Sequence, residues 1–142
     1  MIENVRGLLT GFVIGLIFSI LTCLAGSYQS ISLILVIIET AIPLSILGLL
    51  FERIFLRLGA FHYKLRYLIL YWIIVFPFYR LLVDMFEFLR TSYLPSYYSD
   101  YLSLLMFLAL QGLIGIPFTF GFFLVYSVID RLLGGRKPQH SR

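Results

Sequence analysis

Apolar residues run through this chain in four long blocks separated by short polar stretches. Leu8 to Ala25, Ile31 to Phe51, Tyr67 to Phe86 and Tyr101 to Ile129 each approach or exceed the roughly 20 residues that cross a hydrocarbon layer roughly 30 Å thick. Lipid offers no partner to a backbone N–H or C=O, so each block is predicted to be a helix. The period-two alternation of barrel strands is absent. The fourth block is longer than one crossing needs and is expected to tilt, bend at Pro117 or emerge from the bilayer. These blocks predict an all-α integral membrane protein: four transmembrane helices in an antiparallel bundle over residues 1–133, followed by a basic, disordered tail over 134–142.

Arg6 before the first block, and "CLAGS" at its end, give it the outline of a secretory signal. The apolar run exceeds the 7 to 15 residues of a usual signal core, about one membrane crossing in length, and is read as a span. Cys23 is the single cysteine, so no intrachain disulfide forms and redox compartment stays unassigned.

Composition strengthens the membrane assignment. Of 142 residues, 61% are hydrophobic and 13% charged, against about 45–50% and about 25% in soluble domains. A soluble exterior needs polar side chains that this chain lacks.

Charge sets the expected orientation. Arg6, Arg53, Arg57, Lys64, Arg66, Arg131, Arg136, Lys137 and Arg142 fall on the side holding both termini and the 52–66 connection, and Arg90 alone on the other. The positive-inside rule puts both termini in the cytoplasm, with the plasma membrane as the expected location. The net charge of +4 then reflects topology, and nucleic acid is not an expected partner, since no RNA or DNA module accompanies the basic residues. In the connection, Phe51, Ile54, Phe55, Leu58 and Phe61 recur near helical spacing. Arg53, Arg57, Lys64 and Arg66 are therefore candidate interfacial lipid contacts. Tyr63, Tyr67, Tyr71 and Trp72 on one side, and Tyr28, Tyr93, Tyr97, Tyr98 and Tyr101 on the other, read as aromatic belts.

Small residues mark candidate helix contacts. Gly7, Gly11, Gly15, Ser19 and Cys23 recur every four residues along the first block, a row that lets another helix backbone come close. Its partner could be another helix of this chain, a second copy or a different membrane subunit. Gly112, Gly115 and Gly121 offer a second such surface on the fourth block.

Four charges, Arg80, Asp84, Glu87 and Arg90, lie along one helical stripe. Counting Phe86 as the end of the third span and Ile31 as the start of the second places Arg80 roughly 9 Å and Glu39 roughly 12 Å below the same surface. A carboxylate at that depth faces the bundle and needs a partner. The expectation is a buried cluster of Glu39, Arg80 and Asp84, with Gln111 a deeper member.

Catalytic signatures are missing. His62 and His140 lie outside the spans, and no HExxH, GxSxG, P-loop or Cys/His metal spacing occurs. No enzyme activity, cofactor or metal is expected. The expected role is an accessory or structural subunit of a larger membrane complex. The alternative is an oligomeric, proton-coupled transporter or channel working through Glu39, with the bilayer and other membrane subunits, or self-association through the first helix, as partners.

Overall fold

A computed structural model describes residues 5–25, 33–57 and 61–133, giving the backbone alone for 55–57 and 61–64. The elements are α1 (Arg6–Leu24), α2 (Leu33–Arg57), α3 (Phe61–Thr91), a 3₁₀ turn at Ser96–Tyr98, and α4 (Tyr101–Leu132). Among the described residues, all four α-helices are long and apolar enough to cross a membrane. The basic tail over 134–142 lies outside the described residues.

Two helices run well past their apolar blocks. α2 continues beyond Phe51 to Arg57, and α3 extends from Phe61 to Thr91. Helical spacing of apolar positions persists through both extensions, and a started helix adds residues more easily than a new one nucleates. The expected interfacial segment is thus largely the ends of two helices. α4 passes Pro117 as one helix, and α2 and α3 likewise contain Pro43 and Pro77. Each proline removes one backbone donor. At Pro77 the carbonyl left without its intrahelical donor is that of Ile73, and Gly112 of α4 packs directly against it.

The small-residue row of α1 meets α2. A β-carbon on Gly7 would collide with Gly48, one on Gly11 with Leu44, and one on Gly15 with Ala41. One turn further on, the Ser19 hydroxyl shares a 2.5 Å hydrogen bond with that of Thr40. Rising numbers on α1 therefore meet falling numbers on α2. Backbones this close maximise dispersion contact, which matters most where lipid removes the usual hydrophobic drive. α3 and α4 repeat the device less tightly, with Gly115 against the Trp72 carbonyl, whereas Gly121 faces open space.

Aromatic rings fill the middle. Phe51 contacts Phe122 at 4.7 Å and Trp72 at 5.9 Å between ring centroids, and Trp72 contacts Phe118 at 4.5 Å. Phe51, Trp72 and Phe122 are fully buried. Ile34, Leu70, Phe78, Leu113 and Leu124 point outward. Hydroxyls within the helices bond back to carbonyls one turn earlier, as Thr10 does to Arg6 and Thr119 to Gly115, so they cost little in an apolar setting.

Candidate functional site

Buried charge gathers in three places. The first joins α2 to α3: Arg90 Nε donates to Glu39 Oε1 at 3.1 Å, and the Glu39 side chain is 9% exposed. Its other oxygen, Oε2, is buried without a hydrogen-bond partner among the described residues.

The second lies where the chain turns from α3 to α4. Ser92 adopts a left-handed conformation with φ 55°, and its N–H reaches the Phe88 carbonyl at 2.8 Å, closing α3 with a cap that glycine usually supplies. The chain then folds back through the 3₁₀ turn. Tyr97 stacks on Phe107 at 4.0 Å and donates to Asp84 Oδ2 at 2.5 Å, with Tyr98 donating to the same oxygen at 3.2 Å. Arg80 Nη2 meets Asp84 Oδ1 at 3.4 Å. Burial, then the neighbouring Asp84 carboxylate, pushes both phenols above their usual range, Tyr98 to about 12. Asp100 starts α4, accepting from the backbone of Leu102 and Ser103 and from the Ser103 hydroxyl. Those bonds, the Ser103 hydroxyl foremost, lower its pKa. Beside Asp84 lies a recess of about 290 Å³ lined by Leu81, Asp84, Met85, Phe88, Leu94 and Tyr98.

The third lies at the opposite end of the bundle. Arg6, 6% exposed, pairs with Asp130 at 2.5 Å. Glu52 is fully buried, accepting the Gly7 N–H at 2.7 Å and the Tyr126 hydroxyl at 3.1 Å. Val5 offers α1 no side-chain cap. Glu52 instead caps α1 from α2, placing a carboxylate at the positive end of the helix dipole.

The expected cluster of Glu39, Arg80, Asp84 and Gln111 is divided. Arg80 and Asp84 come together, Glu39 goes to Arg90, and Gln111 is half-buried outside both groups. The reason is register along the two helices. α3 ends at Thr91 rather than Phe86, so Arg80 lies eleven positions, roughly 16 Å, from its end. Glu39 lies six positions, roughly 9 Å, from Leu33. Side chains on a helix lean toward its N-terminus, so Arg90 reaches back into the bundle while Arg80 leans away from Glu39.

Among the candidate interfacial cations, Arg53 and Arg66 are exposed, while the side chains of Arg57 and Lys64 lie outside the described residues. Glu52, Tyr126 and Asp130 were missed by sequence reasoning. Glu52 sits at the end of an apolar run, where a carboxylate passes for an interfacial residue. Its signal was the four-residue row Leu44, Gly48, Glu52, which continues the surface facing Gly11 and Gly7.

Among the described residues no cluster of three or more metal-ligating side chains occurs. The chain matches no protein-family model, no curated protein and no solved structure.

Proposed function

We propose that this protein crosses the plasma membrane four times as an antiparallel bundle with both termini cytoplasmic, and serves as an accessory or structural subunit of a larger membrane assembly. One observation carries this: the buried acidic side chains are engaged within the chain, and aromatic rings close its middle. Such a bundle keeps little charge for a substrate, so its outward apolar surface is where it acts. The distribution of basic residues supports the orientation.

A second reading has its own support. The unpartnered Oε2 of Glu39 is the type of buried carboxylate that proton-coupled transporters use, and it would need an oligomer to form a pathway. The native mass and composition of the complex extracted in mild detergent separate the two. Other proteins in fixed ratio support the subunit role. A homo-oligomer alone, with flux in liposomes abolished by Glu39→Gln, supports transport.

A further inference from the structure

The recess beside Asp84 has the chemistry of a receptor for one membrane lipid. Leu81, Asp84, Met85 and Phe88 stand at i, i+3, i+4 and i+7 along one face of α3, and Leu94 and Tyr98 cover it from the returning chain. Its lining is apolar apart from a carboxylate and a phenol. Asp84 Oδ2 is satisfied by two tyrosine hydroxyls, whereas Oδ1 is met, among the described residues, by Arg80 alone at 3.4 Å. That contact is long for a charge-assisted bond, which normally closes to about 2.7–2.9 Å. The Arg80 side chain is 37% exposed, so its guanidinium can turn toward a ligand without leaving a closed core.

We propose that this recess, together with Arg80 beside its Asp84, binds the headgroup of an amine-bearing phospholipid, with the phosphate on Arg80 and the ammonium on Asp84. The inference rests on the membrane-spanning reading above. Charge complementarity selects the class. A loose Arg–Asp pair is neutral overall, and a zwitterion of opposite sense exchanges one weak ion pair for two good ones. An anionic lipid would leave one negative charge unmatched beside a buried carboxylate. A choline headgroup has no N–H to donate to Asp84. Leu81, Met85 and Phe88 continue the site as an apolar wall for an acyl chain.

The test uses the full chain purified in detergent, offered equal amounts of phosphatidylethanolamine, phosphatidylcholine and phosphatidylglycerol, with retained lipid read by native mass spectrometry. One phosphatidylethanolamine per chain is expected, at about tenfold over phosphatidylcholine, the difference made by a charge-assisted hydrogen bond. Asp84→Asn should erase that preference. Leu81→Trp, which fills the recess and leaves Asp84 in place, should erase it too, so the idea stays testable if the Asp84 variant fails to fold. Equal retention of the ethanolamine and choline lipids, preference for phosphatidylglycerol, or selectivity that survives both substitutions overturns the proposal. A chain that alkaline carbonate washes off vesicles would instead overturn the membrane-spanning reading itself.

Discussion

Gly7 of α1 and Gly48 of α2 are packed backbone to backbone, each so close that a β-carbon on it would collide with the other's carbonyl oxygen. This is the tightest joint in the bundle, and it fixes where Glu52 can cap α1. Gly11→Ala, one turn along the same joint, should force the two helices apart at a cost of about 1–3 kcal/mol. Gly121→Ala, on the open side of α4, should be neutral or stabilising by up to about 1 kcal/mol. Unfolding measured in lipid or detergent compares them directly, and equal losses at the two sites would contradict the assigned packing.

The trans cap predicts an asymmetry around Glu52. Glu52→Ala strips an acceptor from a buried helix N-terminus and should cost about 1–3 kcal/mol, whereas Tyr126→Phe removes one neutral donor and should cost about 0.5–1.5 kcal/mol. Glu52→Gln keeps an acceptor for the Gly7 N–H and should fall between them. The same unfolding measurement ranks all three. A benign Glu52→Ala would leave α1 without its cap and refute the assignment.

Much of this architecture was legible in the chain, and the reasons for the failures are specific. Block length and apolarity marked the four helices, and the row from Gly7 to Ser19 marked a helix contact without naming its partner. The partner became visible only in three dimensions, because Ala41, Leu44 and Gly48 of α2 form a less conspicuous row. The pairing of Glu39 failed on a helix end: α3 continues five residues, about 7.5 Å, beyond Phe86 and so carries Arg90 within reach of Glu39. Apolarity marks the blocks, but helices continue past them wherever their side chains still pack.

Ser92 closes α3 in a left-handed conformation that costs a residue with a β-carbon more than it costs glycine. Ser92→Gly removes that strain but loosens the unfolded chain. The sign expected is stabilising, by a few tenths of a kcal/mol. A thermal shift downward would indicate that the serine side chain has a role of its own.

Alkaline titration reports on the 92–100 turn. The phenols of Tyr97 and Tyr98 are raised, Tyr98 from the usual 10 to about 12. A group whose folded pKa is raised stabilises below its unfolded value and loses that contribution as pH climbs through the folded one. The turn should hold up to about pH 10 and loosen toward pH 12, visible as late-ionising tyrosines by ultraviolet absorbance. Asp84→Asn should bring those tyrosines to ionise earlier, though still late because burial, the larger cause, remains. Ionisation of all tyrosines together near pH 10 would contradict the partly buried placement of these two beside Asp84.

The central claim is that charge inside this bundle holds helices together, and the Glu39–Arg90 pair tests it most directly. A double-mutant cycle of Glu39→Leu and Arg90→Leu, read as unfolding free energy in lipid, should give a coupling of about 1–3 kcal/mol, with the double variant losing less than the sum of the singles. The parallel cycle of Glu39→Leu with Arg80→Leu should be additive within about 0.5 kcal/mol. Additive losses for Glu39 and Arg90, or coupling of Glu39 to Arg80 in their place, would contradict the account and return Glu39 to consideration as a working carboxylate.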